Sequence, residues 1–191
     1  RLIQPYAVIE EINKHTRGEA IISTGVGQHQ MWAAQYFDYR EPRLWLTSGS
    51  MGTMGFGLPA AIGAQFARPD RVVVDIDGDA SIRMNIGELE TATTYGLPIK
   101  VVVLNNYGDG MVRQWQKLYY DSRMAASDKS LHSKDFVKAA EADGAIERPF
   151  DVVGGDRLAV RPFEVRAKTI GPHCVIVVRL PRLRAVGDNL A

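Results

Sequence analysis

The chain has 191 residues, enough for one domain with a sizeable core. Its formal net charge is +1, with 46% of residues hydrophobic and 24% charged, so nothing in the balance points to nucleic acid or an acidic membrane surface as partner. No signal peptide, transit peptide or apolar run of about 18 residues is evident, and a soluble intracellular setting is expected.

The chain opens on "RLIQPYAVIEEI" without an initiator methionine, as a domain cut from a longer polypeptide would. Val8, Ile9 and Ile12 fall on one helical face, predicting a first helix that ends near Gly18. "AIIST" predicts a short buried strand, and "GVGQHQMWAAQYF" a glycine turn leading into a helix. In "LWLTSGSMGTMGFGLPAAIGAQFA" a strand-like opening gives way to Gly49, Gly52, Gly55 and Gly57, then to a small-residue helix able to pack closely. "RVVVDID" is the clearest strand, "IGELETATTYG" reads as a helix through Ile86, Leu89 and Ala92, and "KVVVLNN" as the next strand. "GMVRQWQKLYYDSR" and "KDFVKAAEADG" predict further helices, and "HCVIVVRL" a last strand. The single cysteine, Cys174, lies in that strand, where it can form no internal disulfide and is expected to fill core.

Apolar strands alternating with helices imply an α/β fold, a parallel sheet with helices on both faces. Ligands bind such sheets beyond the carboxyl ends of the strands. The polar and glycine-rich clusters "GVGQHQ", "SGSMG", "DGDAS" and "NNYGDG" all follow strands, so four strand ends are expected to converge on one rim.

Asp79 follows one central strand and Asn106 the next, 27 positions later, about the length of a strand–helix–strand unit. On spacing alone two readings stay open. Asp79 caps a helix while Asn106 sits in a turn, or the two share a hard cation such as Mg²⁺ or Ca²⁺, with the carbonyl of Gly108 as a third oxygen. Gly78, Ala80 and Ser81 would then offer backbone N–H groups to phosphates at a helix start. A dinucleotide site is disfavoured, because "GDASIR" lacks the G-x-G-x-x-G that such a site needs.

Residues from about 3 to 144 resemble the C-terminal, diphosphate-binding domain of the acetohydroxyacid (acetolactate) synthase large catalytic subunit. The matching stretches are "GVGQHQMWAAQYF", "TSGSMGTMGFGLPAAIGA", "DIDGDASIRMNIGELETA" and "KVVVLNNYGDGMVRQWQKLYY". The paired "GD" and "NN" mark thiamine-diphosphate enzymes in general, whereas "GQHQMW" and "GMVRQWQ" are narrower and point to this synthase. The resemblance implies thiamine diphosphate bound through Mg²⁺ to Asp79, Asn106 and the Gly108 carbonyl. It sets Gly27, Gln28 and His29, and the N–H groups of Ala80, Ser81, Gly110 and Met111, against the diphosphate. Gly52 and Met54 would meet the aminopyrimidine, with Met54 a wedge that keeps the cofactor bent, and Trp115 would shape choice of the second 2-oxo acid.

The implied reaction decarboxylates pyruvate and joins the two-carbon unit to a second 2-oxo acid, giving acetolactate or acetohydroxybutyrate for branched-chain amino acid synthesis. The activating glutamate would come from an N-terminal domain across a dimer interface, and FAD would belong to a middle domain, so this piece alone is expected to be inactive. A homodimer or tetramer, a regulatory subunit and a cytoplasmic or organellar location are further implications. Another thiamine-diphosphate decarboxylase or carboligase, or a truncated cofactor-binding domain without catalysis, are the alternatives.

Read without the family, Met54 and Met111 are core filler and Trp115 a packing aromatic, while His29, structural if read alone, reads as a ligand contact between Gln28 and Gln30 at a helix start on the rim. His15, His132 and His173 look incidental, and Glu88 and Glu90 serve a helix dipole. Three departures from the family pattern stand out. Ala80 replaces a glycine and needs a negative φ, Gly108–Asp109 adds a charge beside the diphosphate, and from Ala145 onward the match is lost.

Overall fold

The computed structural model describes residues 4–132, 134–147 and 174–179. Helix α1 (Pro5–Thr16) opens on proline, whose missing N–H is no loss in a first turn, and ends where Arg17 and Gly18 turn left-handed, at φ 55° and 71°. It buries Val8 and Ile9, two of the three residues that predicted it. Strand β1 (Ile21–Thr24), helix α2 (Gln28–Tyr36), strand β2 (Trp45–Thr47) and helix α3 (Gly57–Ala67) follow as expected. So do β3 (Val73–Gly78), α4 (Glu88–Thr94), β4 (Lys100–Asn105), α5 (Gly110–Tyr119) and α6 (Phe136–Ala142). A two-residue strand, β5 (Ile146–Glu147), was not legible because two residues show no period; β6 (Cys174–Arg179) is the expected last strand.

Two boundaries differ from the sequence reading. No α-helix begins at Asp79: a single 3₁₀ turn (Ile82–Met84) comes first and α4 starts only at Glu88. Helix α5 stops at Tyr119 rather than running through "DSR", because Asp121 and Ser122 take positive φ, 49° and 59°. The expectations for His173, for the side chains of His132 and Cys174, and for the stretch 148–173 lie outside the described residues.

Among the described residues six strands form one parallel sheet, in the order β2-β1-β3-β4-β6-β5. Alternation along each strand divides the apolar residues between the two faces. Val74, Ile76, Val102 and Leu104 pack with Val8, Ile9 and Ala33 of α1 and α2. Val73, Val101 and Val103 pack with Leu58, Ile62, Leu89 and Phe136 of α3, α4 and α6. Each fully buried aliphatic side chain contributes roughly 1.5–3 kcal/mol, so both layers are needed to hold the sheet. Helix α2, after β1, lies on one face and α4, after β3, on the other. The chain therefore turns to opposite sides between the neighbouring strands β1 and β3, which opens a crevice at their carboxyl ends.

Candidate cofactor site

A cleft of about 800 Å³ opens at that crevice. It is lined by residues 26–29 after β1, Gly52 and Met54 after β2, residues 78–81 after β3, and Asn106, residues 108–112 and Trp115 after β4. All the residues that the family resemblance singles out thus line one cleft. Trp32, Leu104, Gln116, Tyr120, Arg123 and Ala125 line it too and were not anticipated. Tyr120 and Arg123 reach it only because the chain reverses after α5, a turn with no glycine or proline to announce it.

Asp79 sits at the tip of β3 with 2% of its surface exposed. Its Oδ1 accepts the backbone N–H of Asn106 at 3.3 Å, and its Oδ2 is buried without a hydrogen-bond partner. Burial pushes the carboxyl up to about 6, against the opposing pull of the Asn106 N–H and the Arg83 charge. The helix-cap reading is therefore overturned: the 3₁₀ turn starts from Ser81, without a side-chain cap, and Asp79 faces Asn106 instead. Among the described residues no group of three or more His, Cys, Asp or Glu side chains could hold a metal ion. This rim offers one carboxylate beside amide and carbonyl oxygens, a donor set that suits a hard cation sharing its shell with phosphate and water.

Two Asx turns shape the loop beyond β4. Asn105 Oδ1 accepts from Tyr107 N–H at 3.0 Å, and Asn106 Oδ1 from Gly108 N–H at 3.1 Å, with Tyr107 left-handed at φ 60°. Asp109 does not face the cleft as a bare charge, because Lys129 Nζ lies 3.0 Å from its Oδ2. Ala80 keeps a negative φ, so the methyl that replaces the usual hydrogen is unstrained.

Close approaches explain the glycines. A Cβ on Gly78 would lie 2.7 Å from His29 Nδ1, and one on Gly110 would run into Gln28 Oε1. Gln28 donates from Nε2 to Gln114 Oε1 at 3.1 Å, leaving Oε1 buried and unpaired. His29 is 5% exposed and turns Nε2 towards the buried Asp77, 3.3 Å from its Oδ1. The Ser81 hydroxyl oxygen does not point at a ligand: it accepts N–H groups from Val26 (3.3 Å) and Gly55 (3.0 Å). Met54 and Met111 are half-buried in the cleft wall rather than in the core. Trp115, 56% exposed, packs on Tyr119 with ring centroids 4.9 Å apart. His15, as expected, lies away from the cleft, 2.9 Å from Glu11, and Glu88 and Glu90 stand in the first turn of α4.

The chain is similar to several known proteins. It is 52% identical over 146 residues to the mitochondrial acetolactate synthase catalytic subunit of Aspergillus candidus, covering 75% of this chain and 21% of that protein. It is 53% identical over 148 residues to chloroplastic acetolactate synthase 2 of Nicotiana tabacum, covering 74% and 22%, and 50% identical over 147 residues to acetolactate synthase of Mycobacterium leprae, covering 75% and 24%. The chain thus spans about a fifth to a quarter of the length of these curated relatives. Among solved structures, the thiamine diphosphate-dependent 4-hydroxybenzoylformate decarboxylase of Rhodococcus jostii RHA1 matches with a TM-score of 0.79 at 26% identity, covering 95% of this chain and 33% of that one. Among the described residues no helix is long and apolar enough to cross a membrane. The profile described as "Thiamine pyrophosphate enzyme, C-terminal TPP binding domain" matches residues 25–154, and the chain belongs to that family.

Proposed function

We propose that this chain holds the diphosphate of thiamine diphosphate through Mg²⁺ and forms part of the catalytic subunit of an acetolactate synthase. The observation that carries the reading is the buried, unpartnered Oδ2 of Asp79 beside Asn106. A buried acceptor without a donor is costly, and a hard cation relieves that cost while leaving coordination positions for phosphate oxygens. Asp79, the Asn106 amide oxygen and the Gly108 carbonyl are the ligands. The amide oxygen has a second lone pair beyond the one used by Gly108 N–H.

Gly27, Gln28, His29 and Gly78, with the N–H groups of Ala80, Ser81, Gly110 and Met111, receive the diphosphate. Gly52 and Met54 meet the aminopyrimidine, Met54 as a wedge beneath it, and Trp115 at the cleft mouth selects the second 2-oxo acid. When bound, the cofactor supplies the acidic carbon at which pyruvate loses CO₂. The residues of this chain bind, bend and shield it. A glutamate and a flavin site from other domains, a homodimer or tetramer, and a regulatory subunit complete the proposed enzyme. The 52%, 53% and 50% identity to acetolactate synthases, against 26% to the decarboxylase, supports this reading over a plain decarboxylase. Product analysis with pyruvate alone and with pyruvate plus 2-oxobutyrate separates the two.

Titration calorimetry of thiamine diphosphate with and without Mg²⁺ tests the site. Binding is expected only with metal, and Asp79→Asn weakens it by about 100-fold or more, since even outer partners of a metal are worth 10–100-fold. Binding that ignores both the metal and the substitution would sink the proposal.

A further inference from the structure

The segment that carries Met54 is neither helix nor strand, and within it Thr53 N–H donates to Ser48 Oγ at 3.0 Å, leaving the residues beyond Thr53 to be held from outside. It lies between β2 and α3, and both Gly52 and Gly55 are left-handed, at φ 66° and 84°. Something outside it must set where the Met54 side chain enters the cleft. The structure shows what does so. Gly55, the next residue, is held on both sides of its backbone: its N–H donates to Ser81 Oγ at 3.0 Å, and its carbonyl accepts from Asn85 Nδ2 at 2.9 Å. The clamp is also tight sterically. A Cβ on Gly55 would lie 2.6 Å from Met84 Cβ and 3.0 Å from Asn85 Nδ2, so only glycine allows this approach.

Ser81 has a second duty, because the same oxygen accepts Val26 N–H and so ties in the loop that leads to Gln28 and His29 at the start of α2. Asn85 has no such duty towards the diphosphate end. It is an exposed residue after the 3₁₀ turn, and its amide is bonded to the Met54 segment.

We infer that Asn85 is a positioning residue: its amide fixes the Gly55 peptide and thereby holds Met54 against the aminopyrimidine end of the cofactor. The role rests on the thiamine diphosphate site proposed above, but the clamp is a property of the protein without ligand. The discriminating variant is Asn85→Asp, which sets a carboxylate oxygen against the Gly55 carbonyl and turns attraction into repulsion at a solvent-exposed position. Asn85→Ala removes the bond without adding charge.

Two measurements on the full chain test it. In the first, the methionine methyl groups are followed by ¹³C NMR without ligand; the chain has six methionines, and Met54→Leu identifies the signal. The Met54 methyl is expected to shift and broaden in Asn85→Asp, while that of Met31 on α2 stays unchanged. An unchanged Met54 signal overturns the inference, whatever the cofactor does. In the second, calorimetry with Mg²⁺ compares thiamine diphosphate with inorganic pyrophosphate. Loss of one well-made hydrogen bond predicts about tenfold weaker thiamine diphosphate binding in Asn85→Asp and less in Asn85→Ala, with pyrophosphate binding unchanged. Equal weakening of both ligands would mean general damage to the rim and would overturn the inference too. If the unsubstituted chain binds neither ligand, the cofactor site itself fails, and the NMR result alone decides the clamp.

Discussion

Strands β3 and β4 lie side by side, each six residues long and buried along its whole length, yet they are built on opposite plans. On β4 both faces are apolar between Lys100 and Asn105 at its ends: Val101 and Val103 pack towards α3 and α4, Val102 and Leu104 towards α1 and α2. On β3 only the α1–α2 face is apolar, with Val74 and Ile76, while Asp75 and Asp77 follow Val73 on the other face and are fully buried. Burial, and then the neighbouring Asp77, push the Asp75 carboxyl well above the usual range, although the Ser23 hydroxyl donates to it at 3.1 Å. Strand β4 is therefore a packing strand whose function begins at its tip. Strand β3 carries polar groups beneath the cleft all the way to Asp79, and the surrounding chain closes over them by giving up side chains.

That closure is where the comparison breaks most sharply. Gly25 follows β1 directly, and a Cβ there would overlap Asp77 Oδ1 and Ser81 Oγ. Gly25→Ala is expected to lower stability by about 3 kcal/mol, the upper part of the range for forcing atoms into a filled interior. Urea unfolding measures it, and a variant as stable as the parent would mean that the acid face of β3 is loosely covered. The counterpart on β4 is Val103→Ala, which leaves a cavity between strand and helices. About 2 kcal/mol is expected, seen as a lower urea midpoint at unchanged slope, with thiamine diphosphate binding intact. If that substitution instead impaired binding, β4 would be more than a packing strand.

The same contrast explains what was legible in the sequence. Strand β4 announces itself as "KVVVLNN", and β3 survives as a strand despite two acids because "VVV" precedes them and glycine follows. The strand ends could be assigned to one rim because alternating elements force a parallel sheet. The start of α4 at Glu88 falls within two residues of the predicted "IGELETATTYG", but the 3₁₀ turn ahead of it was not legible. "DASIRMN" contains no helix breaker, yet Ser81 is drawn to Val26 and Gly55, and Asn85 to Gly55, so one 3₁₀ turn replaces an α-helical start. Those partners lie 26 to 55 residues away in the chain, beyond the reach of local pattern. Spacing set Asp79 and Asn106 on neighbouring strand tips but left a cap and a turn open beside a shared cation, and only the family resemblance chose between the two. Asn85 was silent, since an exposed asparagine means nothing until its contact is seen.

The smallest effect expected separates the two strand tips by their titration. Asn106, at the tip of β4, has no proton to lose near neutrality, whereas Asp79 at the tip of β3 is pushed up to about 6 from 3.8 by burial. The sign differs between the two quantities it controls. Without metal, the folded protein keeps the Asp79 proton between about pH 4 and pH 6, where the unfolded chain has released it, so this group's contribution to stability declines as pH rises through that window. Metal binding runs the other way, because a cation needs the ionised carboxylate. Affinity is expected to fall about tenfold from pH 7 to pH 5, as the ionised fraction drops from about nine-tenths to about one-tenth. Mn²⁺ alone, a hard cation followed through the paramagnetic resonance of the free ion, is the better probe, since it removes the phosphates' own titration from the measurement. Asp79→Asn should abolish the slope together with the binding, and a parent protein whose Mn²⁺ affinity is flat across this range would mean that the cation is held without Asp79.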